Sequence, residues 1–154
     1  MTVRQRIDDF LGHKRLAIVG VSQQPKHFSR MLFAEFRKKG YAPVPVNPSA
    51  QEIDGEVCFA SVRQVSPPVD TVLVMTPAGV TPGVVEDCAA AGVKRIWMYR
   101  ATGSGAVNPE AVKVCEAKGI SVIPGECPMM FLPDAGLFHR FHGLVKKITG
   151  SYPN

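Results

Sequence analysis

The sequence predicts an α/β domain, an open and mostly parallel five-stranded sheet with helices on both faces. Three observations lead to it. Apolar runs rich in β-branched residues recur at 16–19, 41–46, 70–75, 95–99 and 120–123, as in strands buried on both faces. Stretches with helical spacing alternate with them, and Gly40, Gly92 and Gly119 stand where such helices should stop. The connections are short, which suits right-handed crossovers between neighbouring parallel strands.

Taken in order, residues 2–12 read as a short amphipathic helix with Val3, Ile7, Phe10 and Leu11 on one side and Gly12 as its end. The first strand, Leu16-Ala17-Ile18-Val19, stops at Gly20, and a helix spans Ser29 to Lys39 with its apolar stripe in Met31-Leu32 and Ala34-Glu35-Phe36. The second strand, Tyr41 to Val46, breaks at Asn47-Pro48. The segment 49–70 holds a turn at Ile53–Gly55, an extended piece at Val57–Phe59 and a helical turn at Ser61–Val65. The third strand, Asp70 to Met75, ends at Thr76-Pro77 because proline has no amide to give the ladder. Thr81 then reads as N-cap and Pro82 as first residue of a helix to Ala91. The fourth strand is Arg95–Tyr99, and Asn108 caps a helix from Pro109 to Lys118. The fifth strand is Ile120–Ile123, and a last amphipathic helix covers about Pro133 to Ile148. A single domain over residues 1–154 accounts for all of it.

The first strand–turn–helix corner, RLAIVGVSQQPKHFSR, is the part that points to a ligand. Unpaired amides and the positive dipole end at a helix start suit a phosphate. Gly20 permits close approach, Ser22 and Ser29 offer hydroxyls, and Lys26, His27 and Arg30 bring positive charge. The dinucleotide pattern GxGxxG is not met, since Ser22 and Pro25 occupy its second and third glycine positions. A corner without a ligand is therefore the competing reading. The tip of the second strand carries Asn47-Pro48-Ser49, with no carboxylate to receive the ribose hydroxyls of NAD. That favours a nucleotide with an extra phosphate, although Glu52 and Asp54 follow closely. The five loops at the strands' carboxyl ends, at 20–30, 47–49, 76–82, 99–105 and 124–128, are expected to meet in one crevice.

Composition narrows the class. With 45% apolar and 20% charged residues, the chain reads as an ordinary soluble domain. No apolar run approaches the ~20 residues that span a bilayer, and the opening segment lacks a signal-peptide core. Four cysteines without CxxC pairing predict reduced thiols and a cytoplasmic protein. A net charge of +5 suits an anionic partner, but no dense basic stripe or aromatic stacking motif points to nucleic acid. Cys127 is the best candidate nucleophile, against its reading as a buried packing thiol. His139 and His142 lie one helical turn apart with no third ligand nearby, so no metal site is expected. Gly103-Ser104-Gly105 lacks the lysine of a phosphate loop, Trp97 reads as core, and no catalytic constellation emerges.

The segments AIVGVSQQPKHFSR, GYAPVPVNP, DTVLVMTP, AGVKRIWM and ECPMM together resemble the CoA-binding domain family, small proteins similar to the N-terminal domain of the succinyl-CoA synthetase alpha subunit. The resemblance runs from about Phe10 to Pro128. It implies a Rossmann-like fold that binds coenzyme A or an acyl-CoA by its nucleotide end. Gly20, Val21 and Ser22 would face the pyrophosphate, with Ser29 and Arg30 beside it at the helix start. Asn47 and Pro48 would line the adenosine side, and Thr76 and Pro77 would close over the nucleotide. The ribose 3′-phosphate carries roughly −1.5 to −2 charge, which Lys26, Arg30 and Arg100 are available to neutralise. Departures fall after Trp97, where Met98-Tyr99-Arg100 and a longer glycine loop follow, and at Gly125-Glu126 before Cys127-Pro128. The expectation is a stand-alone binding module for a small nucleotide ligand. The alternatives are an acyl-CoA enzyme component, acting through Cys127 or a partner subunit, and an NAD-binding redox module. Apolar faces on the terminal helices would suit a homodimer.

Overall fold

Strands that are apolar on both sides need a layer on each face, and the computed structural model, which describes residues 1–132, has both layers. The chain runs α1 (Val3–Leu11), β1 (Arg15–Val19), α2 (Phe28–Lys38), β2 (Ala42–Val46), β3 (Glu52–Ile53), β4 (Glu56–Val57), β5 (Thr71–Val74), α3 (Thr81–Ala90), β6 (Arg95–Met98), α4 (Pro109–Ala117) and β7 (Ser121–Pro124). Single 3₁₀ turns lie at Val62–Gln64 and Pro128–Met130. The main sheet has the order β2-β1-β5-β6-β7 and is parallel throughout. It is the expected open Rossmann-like α/β fold, and β3 and β4 form a separate antiparallel hairpin.

The two-residue period of a strand divides the core. Ala17, Val19, Val72, Val74, Ile96 and Met98 face α3 and α4. Leu16, Ile18, Leu73 and Trp97 face α1 and α2, where Phe10 meets the Trp97 ring edge-on at 5.2 Å. Thr2 closes a capping box with Gln5 at the start of α1, a signal present in the sequence as T-x-x-Q.

Two prolines in β2 suit its place at the edge of the sheet. The amide of Ala42 donates to Lys14 (2.7 Å) and the carbonyl of Val46 accepts from Gly20 (2.9 Å), so the even positions face β1. Pro43 and Pro45 therefore face outward, where an amide would otherwise invite another strand. Phe59 covers part of this edge by donating to the carbonyl of Pro45 at 3.1 Å.

Two helix starts differ from expectation. Helix α2 begins at Phe28, one residue before the expected Ser29, because the His27 ring caps it. Thr81 was expected to be an N-cap and is instead the first residue of α3. Its buried hydroxyl donates to the Ala106 carbonyl (2.7 Å) and shares a 2.9 Å hydroxyl–hydroxyl bond with Thr76. The expected helix at Pro133–Ile148, with His139 and His142, lies outside the described residues. Among the described residues, no helix is long and apolar enough to cross a membrane.

Candidate functional site

The sheet's chain order reverses direction between β1 and β5, the place where open α/β sheets form a crevice beyond the strand ends. Gly20 sits there at φ +97°, and a Cβ would stand 3.0 Å from the Met75 carbonyl carbon and oxygen and 3.2 Å from the Thr76 nitrogen. The neighbouring strand, before any ligand, already demands glycine. Beyond it the turn is tied to itself. The Ser22 amide donates to Ser29 Oγ (2.9 Å), and the Gln24 amide donates to Ser22 Oγ (3.0 Å). His27 Nδ1 accepts from the Ser29 amide (3.1 Å) and lies 2.8 Å from Ser29 Oγ. Both serine hydroxyls are thus engaged inside the corner, and Ser29 is fully buried. Among the described residues, the amides of Val21 and Gln23 meet no protein acceptor, and the Lys26 side chain is exposed at the tip.

Asn47 joins the second strand to this corner. Its Nδ2 donates to the Val21 carbonyl (2.8 Å) and its Oδ1 accepts from the Ser49 amide (2.8 Å). Gln23 Nε2 reaches the Ser49 carbonyl at 2.6 Å, so the two loops are stitched together. Beside them, on the α3 side, opens a cavity of about 430 Å³ lined by Val19, Gly20, Val46, Pro48, Thr76 and Val84. Ser61 and Asp87 also line it, and Asp87 accepts from Ser61 Oγ (3.2 Å) and Arg63 Nε (2.8 Å). The sequence alone gives Ser61, Val84 and Asp87 no site role, because only the folded 3₁₀ turn brings residue 61 against α3. A hollow of about 490 Å³ runs along the outer edge of β2, away from this corner.

The three arginine and lysine candidates stand in different situations. Arg30 is largely buried, donates through Nη1 to the Ser22 (3.3 Å) and Gln23 (3.1 Å) carbonyls, and pairs through Nη2 with Asp54 at 2.6 Å. Lys26 is exposed on the surface of the corner. Arg100 follows β6, two strands from β1, which is about 10 Å at normal strand spacing. Its guanidinium lies against Gly125, 3.0 Å from where a Cβ would be. Between the two regions the Phe28 and Tyr99 rings meet at 5.6 Å. Gly20, Val21, Ser22, Ser29, Arg30, Asn47, Pro48, Thr76 and Pro77 therefore gather near the end of β1, and Arg100 sits apart.

Cys127 is buried at the head of the Pro128–Met130 turn, and burial first, then its proximity, pushes the Tyr99 phenol up. Cys88 and Cys115 lie fully buried between α3 and α4. Burial is the main cause that pushes Cys88 up to about 12 and Cys115 up to about 11. Almost no thiolate exists there at neutral pH, and the thiolate is the reacting form. Cys88 and Cys115 are expected to stay unmodified by iodoacetamide in the native protein and to react on unfolding. Alkylation mapped by mass spectrometry checks this, and labelling of either within minutes under native conditions refutes it.

Several known proteins resemble this chain. The profile of the CoA-binding domain family matches residues 14–133. Uncharacterized protein YneT of Bacillus subtilis (strain 168) is 32% identical over 114 residues, covering 74% of this chain and 82% of YneT. The alpha subunit of acetate–CoA ligase [ADP-forming] II of Pyrococcus furiosus is 24% identical over 149 residues, 92% of this chain. The match spans only 32% of that subunit. Among solved structures, a hypothetical protein from Pyrococcus horikoshii OT3 superposes with a TM-score of 0.75 at 26% identity, covering 84% of this chain and 88% of that one. The dinucleotide-forming acetyl-coenzyme A synthetase 1 of Ca. Korarchaeum cryptofilum, in complex with phosphate and ADP, gives 0.62 at 27% identity over 71% of this chain and 25% of its own. With its profile match covering most of the sequence and a relative of similar length at 32% identity, the chain belongs to the CoA-binding domain family.

Proposed function

We propose that the protein binds coenzyme A or an acyl-CoA by its nucleotide end at the β1–α2 corner, as a stand-alone module with no chemistry of its own. The observation that carries this reading is the exposed Gln23 amide, without a protein acceptor among the described residues, beside an apolar cavity of about 430 Å³ at the sheet's reversal point. The pyrophosphate lies over the Gln23 amide at the positive end of α2. The adenosine enters the cavity between Pro48 and Thr76, and Lys26 meets the 3′-phosphate. Arg30 backs the corner through the Ser22 and Gln23 carbonyls. The Phe28–Tyr99 pair leads from the corner toward Arg100 and Cys127, a floor along which the pantetheine arm extends.

A charge-assisted contact is worth about 1.5–3 kcal/mol, so Lys26 gives a discrimination of roughly tenfold or more for a 3′-phosphorylated ligand. Isothermal titration is expected to rank coenzyme A above dephospho-CoA by about tenfold, and NAD below both. Equal affinity for coenzyme A and dephospho-CoA removes the role of the 3′-phosphate. Tighter binding of NAD replaces the reading with a redox module.

A further inference from the structure

Asp54 belongs to no predicted set of ligand-binding residues, yet it is the counter-ion of the corner. It sits at φ +50° with Gly55 at +81°, the tip of the β3–β4 hairpin. Its Oδ1 lies 2.6 Å from Arg30 Nη2, while the same guanidinium holds the carbonyls of Ser22 and Gln23. The Arg30 side chain is only 12% exposed, and among the described residues its buried Nε has no acceptor. A second arginine fastens the hairpin to α2, with Arg37 Nη1 donating to the Asp54 carbonyl (3.1 Å) and Nη2 standing 3.5 Å from Glu56 Oε1. Ile53 is buried in the core beneath.

The turn itself does not require the carboxylate. Two successive positive φ values favour asparagine–glycine at least as well as aspartate–glycine. What the charge alone does is cancel a cation whose guanidinium touches the loop that presents the exposed Gln23 amide. An incoming polyanion and Asp54 are therefore rivals for one arginine.

We propose that Asp54 sets the anion affinity of the corner, and that a bound polyanion weakens its grip on Arg30 and so loosens the β3–β4 hairpin. The proposal rests on the reading of this corner as the diphosphate site of a coenzyme A ligand. Linkage makes the two effects one: if removing the carboxylate's charge tightens ligand binding, ligand binding must weaken the carboxylate's contact by the same factor. Asp54 acts through Arg30 and is a positioning residue.

Asp54→Asn removes the charge, suits the left-handed turn and keeps an oxygen for Arg30 to donate to. Glu56→Gln is the matched control, taking a charge from the same hairpin on the Arg37 side. Coenzyme A titrated at low ionic strength is expected to bind Asp54→Asn about five- to tenfold more tightly than wild type, with the gain shrinking as salt rises. Glu56→Gln is expected to match wild type. In the unmodified protein, hydrogen–deuterium exchange at residues 52–57 is expected to rise when coenzyme A is added. Equal or weaker binding by Asp54→Asn while wild type binds, or increased protection of 52–57 on binding, overturns the rivalry and leaves the site reading intact. Absence of binding in both proteins overturns the site reading and the rivalry with it.

Discussion

Replacing Gly20 with alanine is expected to abolish measurable coenzyme A binding and to destabilise the fold by about 2–5 kcal/mol. Two costs combine. An L-residue at φ +97° is strained, which is worth about 1–2 kcal/mol. Its Cβ also meets the Met75 carbonyl at 3.0 Å, and that backbone cannot step aside because the Met75 amide is bonded to the Val19 carbonyl at 2.8 Å. Overpacking of this kind costs about 1–3 kcal/mol. Gly40→Ala separates the terms, since Gly40 has φ +90° with nothing within 4 Å of its Cβ position. It should lose only the backbone part, about 1–2 kcal/mol. Urea denaturation of both variants measures the difference, and titration reads the binding. A Gly20→Ala protein as stable as Gly40→Ala shows that the strand-to-strand approach is slack.

The main sheet was legible because a strand buried on both faces writes itself as an unbroken apolar run, as in Leu16–Val19 and Val72–Val74. The Asp54-Gly55 turn was legible from its residue types, but β3 and β4 are two residues long and carry no period to read. Side-chain assignments fared according to distance. Ser22, Ser29 and Asn47 do sit at the corner, yet their polar atoms hold one another and the backbone, a use that a list of donors near a helix start does not distinguish from ligand contact. Arg30 reads as a free cation until a residue 24 positions away arrives beside it. Arg100 reads as a neighbour of the corner until the strand order sets β5 between β1 and β6. Thr81 has the chemistry of a cap, and the Ala106 carbonyl, 25 residues on, takes its hydroxyl instead. Local pattern carries period and turn chemistry; pairing across the sheet is decided only when the strands are ordered.

Trp97 offers the largest effect on stability. It is fully buried, with Phe10 edge-on at 5.2 Å and Phe131 at 6.0 Å, and its Nε1 donates to the Gly125 carbonyl at 2.7 Å. Trp97→Ala is expected to cost about 3–5 kcal/mol, a large share of the 5–15 kcal/mol typical of a whole domain. Trp97→Phe keeps a ring against Phe10 and removes the donor, leaving a buried carbonyl unpaired at about 1–3 kcal/mol. The consequence is local as well as global. Gly125 and Glu126 hold positive φ values of +129° and +69°, and the Arg100 amide donates to the Glu126 carbonyl at 3.1 Å. The indole N–H thus pins the turn on which the Arg100 guanidinium lies and from which Cys127 follows. Hydrogen exchange in Trp97→Phe is expected to quicken at 125–127 and at Arg100 while the β1–β5 amides keep their protection relative to the new global stability. If exchange rises uniformly, the indole contributes bulk alone; if it rises at this turn first, a core residue governs the rim of the crevice on the Arg100 side.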